Sequence, residues 1–463
     1  MCMNELETAI LDCNSRYYHL DSLQAMENAG RSVAEEIEQR FGQGHDIGIY
    51  CGLGNNGGDG FVAARFLSLH NRVTVYLMGH PRDIQSDIAR KNWNILTHSS
   101  VAQHTIRDSA SLGESTHDLI VDALLGTGIS GELREPFETV VERLNRSPGK
   151  KIAVDIPTGY GTSTPFAADI TISMHYPKTD SCITVTIGIP PEFESLIGPG
   201  DVQFLHHRRK DSHKGDNGKI LIVGGSQTYH GAPIYAGLAA SLLVDLVFIS
   251  CPASVAPIIK EATPDFIVDT LSGDLLNPAD VPQIMQRAQH CDAVLIGPGL
   301  GTEKETVQAC KTLCSSLKIP IIIDADGLKA LTGALGLLQE GMILTPHLHE
   351  FTSLFGEMSV DEAAASHGCI IVKKGVRDEV SNGNITKYNY TGNAGMTTGG
   401  SGDVLAGLIT GFAATNDLFQ ASCGAVFVNG RAGDFCDEEY GSYFSSSDII
   451  QALQKTLVWC DTF

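Results

Sequence analysis

The sequence predicts an α/β protein of two domains, each with a largely parallel sheet covered by helices. The chain has 463 residues, more than one ordinary hydrophobic core accommodates. In both halves, short β-branched runs alternate with segments of helical apolar spacing, which is typical of parallel strands buried on both faces. A polar, basic stretch at 204–218 separates the two series. We therefore expect domains at 1–206 and 207–463.

The first series begins with a helix predicted over residues 21–40. Predicted strands at 46–51, 72–78, 118–122 and 151–155 follow, and the predicted helices between them cover 59–70, 83–97 and 134–146. The second series has strand-like runs in KILIVGG, DLVFIS, DAVLIGPG, IPIIIDAD, MILTP and CIIVKKG, and it ends in helical sequence from Asp403.

Composition excludes several classes of protein. With 32 basic and 54 acidic residues the net charge is −22, which argues against a nucleic-acid binder. The first residues, MCMNELETAILDC, do not resemble a secretory signal, and no apolar run is long enough to cross a membrane. The 12 cysteines are scattered without a C-x-x-C pair, so we expect reduced thiols, no zinc site and a cytoplasmic location.

A glycine-rich motif follows the first strand. Gly52, Gly54 and Gly57 form G-x-G-x-x-G between a strand and a helix, the setting of a dinucleotide site. The second strand, however, is followed by no carboxylate at 78–80 that could bind ribose hydroxyls. An oxidoreductase is therefore disfavoured.

The same motif carries additional polar groups, in the run GNNGGDG. Asn55, Asn56 and Asp59 suggest a polar substrate or a cation beside the helix. The alternative is an ordinary turn in which Asn adopts a left-handed conformation and Asp59 caps the helix. The complete run favours a site.

Polar residues also stand at two other strand ends. Asp122 follows the strand of LIVDALLGTG, and Asp155 and Thr158 follow that of IAVDIPTG. Ligands of parallel sheets bind at the carboxyl ends of strands. Asp155 could instead be a buried, hydrogen-bonded carboxylate, but three such features favour one crevice.

In the second half, TTGGSGDVLAGLITG carries the strongest chemical signal. Gly399, Gly400 and Gly402 would let backbone N–H groups converge at a helix N-terminus, as an anion hole for a phosphoryl group. Asp403, at the head of that helix, could accept a hydroxyl proton. A simple helix cap would explain Asp403 but not the glycines.

Together these motifs resemble the NAD(P)H-hydrate repair enzymes. GNNGGDG, VDALLGTG, VDIPTG and the upstream MENAG resemble the epimerase domain. KGDNGKILIVGGS, GAP, IGPGLG, DADGLK, TPHLHEF and TTGGSGDVLAGLITG resemble the dehydratase, in the order of the bifunctional fusion. The resemblance implies a Rossmann-like three-layer αβα domain followed by a ribokinase-like α/β domain. It further implies epimerisation of R and S hydrates of NADH and NADPH, and dehydration of the S form with ADP, giving AMP and phosphate.

The resemblance also implies residue roles in the epimerase half. Asp155 would move protons, and Asn56, Asp122 and Thr158 would bind a potassium ion, whose hard-ligand preference suits their oxygens. The hydrate would be lined by Asn55, Asn56, Gly57, Gly58, Asp59, Gly126, Thr127, Gly128, Ile129, Ser130, Gly131, Glu132 and Asp155.

In the dehydratase half, Asp403 would be the catalytic base. The hydrate would contact Ala232, Gly299, His347 and Asp403, and ADP with its Mg²⁺ would contact Lys374, Gly375, Val376, Arg377, Asp378 and Gly402. Plainer interpretations exist, since Lys374 could be a solvated strand end and Gly299 a turn glycine.

Two alternatives stay open at this point. A kinase of a small alcohol would use the G-S-G-D site but would leave the first half unexplained. A nucleotide-sensing module would keep the first pocket without its activity. For the repair enzyme we expect hydrated NADH or NADPH and ADP as small-molecule partners, no nucleic acid, no membrane and a homo-oligomer.

Overall fold

A computed structural model describes residues 5–109, 112–128, 131–206, 208 and 210–463. The chain forms two compact units that divide after Pro191, which differs from the boundary expected at residue 206. The reason is visible at Asp201, a fully buried residue whose carboxylate contacts Lys387 Nζ at 2.7 Å. Gln420 also donates to the Asp201 carbonyl oxygen at 3.0 Å. Residues 192–206 therefore pack with the second unit.

The first unit is a three-layer αβα structure. Its seven strands are all parallel, in the order β3-β2-β1-β4-β5-β6-β7. One apolar core lies between the sheet and α2, α3 and α4, and a second lies between the sheet and α5. The elements are α1 Glu5–Tyr17, α2 Ser22–Phe41, β1 Asp46–Cys51, α3 Asn55–Leu67, β2 Arg72–Met78, α4 Asp87–Leu96, β3 Ala102–Ile106, β4 Leu119–Ala123, α5 Phe137–Arg146, β5 Lys150–Val154, β6 Ile170–Met174 and β7 Cys182–Val185.

Helix α3 differs from its predicted extent, 59–70, because it begins at Asn55. The run GNNGGDG therefore belongs to the helix, and Gly54 rather than Asp59 is the N-cap residue. Glycine is required here by close packing, since a Cβ at Gly57 would lie 2.1 Å from the carbonyl oxygen of Gly52. Helix α1 and strand β3 were not predicted.

The second unit has a nine-stranded sheet in the order β10-β9-β8-β11-β12-β13-β14-β15-β16. Only the pairs β14–β15 and β15–β16 are antiparallel. Its elements are α6 Gly200–Gln203, β8 Lys219–Val223, α7 Gly231–Ser241, β9 Leu246–Cys251, α8 Ala256–Ala262, β10 Phe266–Thr270, α9 Val281–Ala288, β11 Ala293–Ile296, α10 Lys304–Ser316, β12 Ile321–Ile323, α11 Asp326–Ala330, β13 Met342–Leu344, α12 Leu348–Phe355, α13 Val360–His367, β14 Ile370–Lys373, β15 Asp378–Ser381, β16 Thr386–Asn389, α14 Ser401–Ala413, α15 Leu418–Tyr440 and α16 Ser446–Thr462.

Across the described ranges, no helix combines the length and the apolar character needed to span a bilayer. The eleven cysteines described are all free thiols, and ten of them are buried, Cys182 being the exception.

Candidate active sites

The predicted residues of the first unit meet at the carboxyl edge of its sheet. Strands β1, β4 and β5 are parallel neighbours, so the loops that follow them share this edge. Gly126 lies between two of the predicted residues: a Cβ there would be 3.7 Å from Asn56 Cβ and 4.0 Å from Asp155 Oδ2. Asn56, Gly126 and Asp155 are therefore neighbours at this edge of the sheet.

Asp155 occupies a constrained position just beyond β5. Its φ is 69°, a left-handed conformation that costs energy for a residue other than glycine. The backbone is held by Asp155 N–H donating to Ile172 O at 2.7 Å and by Ser173 Oγ donating to Asp155 O at 2.8 Å. Such over-determined strain is typical of functional positions.

The carboxylate of Asp155 is paired with a lysine that the sequence interpretation missed. Lys178 Nζ lies 2.5 Å from Asp155 Oδ1 and 2.6 Å from Oδ2. Both side chains are largely buried, with exposed fractions of 19% for Lys178 and 12% for Asp155. Lys178 lies in the loop after β6, the neighbour of β5. Its position after a strand of the same edge was the available signal.

Asn56, Asp122 and Thr158 are brought together as predicted for the cation site. Thr158 donates from Oγ1 to Asp122 Oδ1 and from its N–H to Oδ2, both at 2.8 Å. Asn56 Nδ2 and Thr158 Oγ1 both approach the carbonyl oxygen of Leu125, at 3.2 and 3.4 Å. Complete burial raises the pKa of Asp122 to about 6, against the opposing effect of its hydrogen bonds.

One oxygen of this cluster has no partner. Asn56 Oδ1 is buried and accepts no hydrogen bond within the described structure. A buried acceptor without a hydrogen-bond donor costs free energy unless a cation or another donor interacts with it. The donor atoms of this cluster are oxygens of the kind that hard cations prefer, and Asn56 Oδ1 is one that has unused capacity.

The other predicted lining residues differ in their surroundings. Burial, followed by the negative charge of Asp155, raises the pKa of Asp59 on α3. Glu132 is exposed, and its carboxylate accepts hydrogen bonds from Ser163 N–H at 2.9 Å and Oγ at 2.7 Å. Ile129 and Ser130 lie outside the described residues. The structure therefore describes residues 126–128, 131 and 132 of this loop.

In the second unit, Asp403 lies in the first turn of α14, behind the glycine-rich segment. The N-cap residue is Gly400, with φ 102°, and a Cβ there would lie 2.7 Å from the ring of Tyr235. Asp403 is therefore not the N-cap of the helix. Burial, and then the charge of Asp324, raise the pKa of Asp403 to about 7, a value suited to a general base at neutral pH.

Lys374 reaches the same segment from the end of β14. A Cβ at Gly402 would lie 3.4 Å from Lys374 Nζ. The side chain is 21% exposed and its ammonium contacts Asp324 Oδ1 at 2.8 Å, so it is not a solvated strand end. Burial lowers the pKa of Lys374, but the charge and hydrogen bond of Asp324, together with the charges of Glu350 and Asp403, outweigh burial and raise the pKa. The sequence analysis assigned no role to Asp324, which is the first residue of the DADGLK motif.

The remaining predicted nucleotide residues form the connection between β14 and β15. Gly375 N–H donates to Asp378 Oδ1 at 3.1 Å, and Asn389 Nδ2 donates to Asp378 Oδ2 at 3.0 Å. Burial raises the pKa of Asp378. Val376 and Arg377 are exposed, with the Arg377 guanidinium 4.4 Å from the ring centroid of Tyr388.

The other three predicted hydrate contacts, besides Asp403, lie at helix N-termini and in a loop. His347 is the N-cap of α12, and its Nδ1 accepts from the backbone N–H groups of His349 and Glu350. Gly299 has φ 65°, and a Cβ there would lie 2.4 Å from the carbonyl oxygen of Tyr229. This close approach accounts for the glycine. Ala232 lies in the first turn of α7.

Comparison with known proteins gives a consistent assignment. A family model described as YjeF-related protein N-terminus matches residues 22–180, and one described as NAD(P)H-hydrate dehydratase matches residues 220–455. The bifunctional NAD(P)H-hydrate repair enzyme Nnr of Archaeoglobus fulgidus is 37% identical over 98% of both chains. The same enzyme of Methanocaldococcus jannaschii is 38% identical over 97% of this chain and 92% of the relative. The chain belongs to the bifunctional NAD(P)H-hydrate repair enzyme family.

Solved structures support the fold of the second unit. A ribokinase-like superfamily protein of Enterococcus faecalis matches with 24% identity and a TM-score of 0.52, covering 57% of this chain and 95% of that one. The predicted fold class is thus confirmed, with a ribokinase-like second unit in an NAD(P)H-hydrate repair enzyme.

Proposed function

We propose that each unit carries one of the two activities of NAD(P)H-hydrate repair. The first unit interconverts the R and S hydrates of NADH and NADPH. The second restores the reduced nucleotide from the S hydrate, consuming ADP and releasing AMP and phosphate. The observation that supports this division most strongly is that each unit places a partly or largely buried aspartate near a lysine at the carboxyl edge of its own sheet.

In the first unit, Asp155 moves protons at the hydrated ring carbon. Epimerisation needs one group to assist loss of the hydroxyl and one to assist its return on the other face. Lys178 orients the carboxylate through two charge-assisted hydrogen bonds. Asn56 and Gly126 form the adjacent wall of the crevice.

A potassium ion in this unit would be held by Asn56, Asp122 and Thr158. The unpartnered Asn56 Oδ1 and the neighbouring buried Asp122 carboxylate support this assignment. The ion would supply a fixed positive charge beside the substrate pocket. Loss of the ion would leave the Asn56 oxygen unsatisfied, so epimerase activity should depend on potassium.

In the second unit, the hydroxyl of the S hydrate attacks the β-phosphoryl group of ADP while Asp403 accepts its proton. AMP leaves as the phosphoryl group is transferred. The new ester then loses phosphate, a far better leaving group than hydroxide, while the adjacent ring carbon loses a proton, and the double bond of the reduced nicotinamide ring is restored. Lys374 and the N–H groups around Gly402 stabilise the transferring group. Mg²⁺ enters with the nucleotide as part of the substrate.

The test is a single optical assay. Purified protein is incubated with S hydrate of NADH and with or without ADP, and absorbance at 340 nm is followed. We expect recovery that requires ADP. Recovery without ADP, or none with it, would contradict the proposed dehydratase. A small-alcohol kinase or a nucleotide sensor would give no recovery. Assembly as a homo-oligomer and a cytoplasmic location remain proposals that size-exclusion chromatography and cell fractionation address.

A further inference from the structure

We propose that Asp324 is a positioning residue of the dehydratase site, which holds Lys374 against the phosphoryl-transfer segment and keeps its ammonium from pairing with Asp403. The inference deepens the proposed function of the second unit and rests on it. Among the residues assigned to the nucleotide or the hydrate, Asp324 is hydrogen-bonded to Lys374, and we propose that it acts through this lysine.

The first support is the geometry of one carboxylate oxygen. Asp324 Oδ1 accepts from Lys374 Nζ at 2.8 Å and from Thr345 Oγ1 at 2.7 Å. Asp324 is 2% exposed and Thr345 is fully buried. Thr345 therefore holds in place the Asp324 oxygen that accepts a hydrogen bond from the Lys374 ammonium. The two donors, Thr345 and Lys374, directly follow the neighbouring parallel strands β13 and β14, so both approach this oxygen from the same edge of the sheet.

The second support is the place at which the ammonium is held. A Cβ at Gly402, the residue before Asp403 in the first turn of α14, would lie 3.4 Å from the Lys374 ammonium. The carboxylates of Glu350 and Asp403 also attract Lys374. A lysine without Asp324 would be free to move toward either of them. Pairing with Asp324 leaves Asp403 available to a substrate hydroxyl.

The two aspartates of the DADGLK motif, Asp324 and Asp326, contact different lysines. Ala325 has φ 49°, a strained conformation for a residue with a side chain. Asp326, on its other side, accepts from Gly301 N–H at 2.9 Å and Lys329 Nζ at 2.8 Å. The strained backbone at Ala325 therefore accompanies a change of direction between the two carboxylates, Asp324 toward Lys374 and Asp326 toward Lys329.

The charges that act on Asp403 come from three elements. Asp324 and Asp326, at the end of β12 and the start of α11, raise its pKa, whereas Lys374 lowers it. Glu350 of α12 acts on Lys374. Removing the charge of Asp324 takes away one raising influence and releases Lys374 toward Asp403. Both effects lower the pKa of Asp403.

The experiment compares Asp324→Asn with wild-type protein in two readouts. Calorimetry with ADP and Mg²⁺ should show affinity weakened by about ten- to a hundredfold, as expected for loss of a charged hydrogen-bond partner. The acid limb of kcat against pH should move to lower pH. A merely structural role would reduce kcat without moving the limb. Unchanged ADP affinity together with an unchanged limb would overturn the proposal.

Thr345→Val is the matched control, because it removes one hydrogen bond and keeps the charge. We expect ADP affinity about threefold to tenfold weaker and an unmoved acid limb. If Asp324→Asn does not fold, this variant carries the test, and wild-type ADP affinity in it would refute the proposal. Calorimetry needs no turnover, so a wild-type protein that binds ADP but restores no absorbance would contradict the proposed function alone.

Discussion

The two units place a lysine beside an aspartate in opposite ways. In the first unit, Lys178 contacts both oxygens of Asp155, the residue proposed to move protons. In the second unit, Lys374 contacts Asp324, and the proposed base Asp403 keeps a pKa of about 7. The raised pKa of Asp403 comes first from burial and then from the charge of Asp324, and these effects outweigh the charge of Lys374, which lowers the pKa.

This difference matches the chemistry proposed for each unit. Epimerisation requires a group that assists loss of the hydroxyl and its return, and Lys178 would hold the Asp155 carboxylate in place for this role. Phosphoryl transfer requires a base that accepts a proton at neutral pH and a cation that faces phosphate. The different positions of the two lysines therefore agree with the two proposed reactions.

The largest effect is expected from Asp403→Asn. The substitution keeps the size of the side chain but removes the base, so dehydration of the S hydrate should fall by about 10²–10⁴-fold. ADP binding should persist because Gly402 and Lys374 are unchanged. The rate of 340 nm recovery at saturating ADP measures the loss, and calorimetric ADP binding by the same preparation controls for folding of the second unit. Near wild-type recovery would leave Asp403 without a catalytic role.

A second variant, Lys178→Met, tests the pairing in the first unit. It removes both hydrogen bonds to Asp155 and keeps the aliphatic stem, so the epimerase kcat should fall by about ten- to a hundredfold. Lys150→Met, at a lysine that is 64% exposed on β5, is the matched control and should retain full activity. The rate of R-to-S conversion is followed by chromatography. Equal rates for both variants would show that Lys178 only neutralises charge in the fold.

The pH dependence of dehydration should reveal the raised pKa of Asp403. Below about pH 7 the carboxyl group holds a proton and cannot accept another, so kcat/KM should fall about tenfold for each pH unit. Above that value it should be level. A profile with its acid limb near the ordinary aspartate range, around pH 4, would contradict the electrostatic environment described for Asp403.

The smallest effect is expected on stability, from Thr158→Val. Thr158 is fully buried and its hydroxyl bridges Asp122 and the N–H of Leu125. Losing these bonds should lower the free energy of unfolding of the first unit by about 1–3 kcal/mol. Thr158→Ser keeps the hydroxyl and is the control.

The chain offers a direct measurement of this change. It has two tryptophans, and Trp93 lies in the core of the first unit whereas Trp459 lies in α16 of the second. Urea unfolding in a Trp459→Phe background therefore reports on the first unit alone. Equal midpoints for the Val and Ser variants would contradict the role of the hydroxyl.

Much of this arrangement could be predicted because its signals are local. Parallel strands with apolar runs predict the sheet, and a polar residue directly after such a strand predicts the edge where Asp122 and Asp155 lie. Lys178 and Asp324 were missed because their roles depend on contacts between neighbouring strands. Lys178 lies 23 positions after the aspartate that it contacts, and Asp324 lies 50 positions before its lysine.

Two boundaries also escaped prediction, for physical reasons. Glycine has a low intrinsic helix propensity, so GNNGGDG reads as a loop, yet close packing against Gly52 requires glycine inside α3. The polar stretch at 204–218 reads as a linker. The burial of Asp201 against Lys387 attaches the preceding residues to the second unit.

The central claim is that two separate aspartates perform two separate reactions. It is tested most directly by mixing two inactive variants, Asp155→Asn and Asp403→Asn, with the R hydrate of NADH and ADP. Each variant alone should restore 340 nm absorbance no faster than the background of spontaneous epimerisation, or not at all. The mixture should restore it at a rate that approaches wild type, because one protein supplies S hydrate to the other. A mixture that stays at the rate of the single variants would contradict the claim.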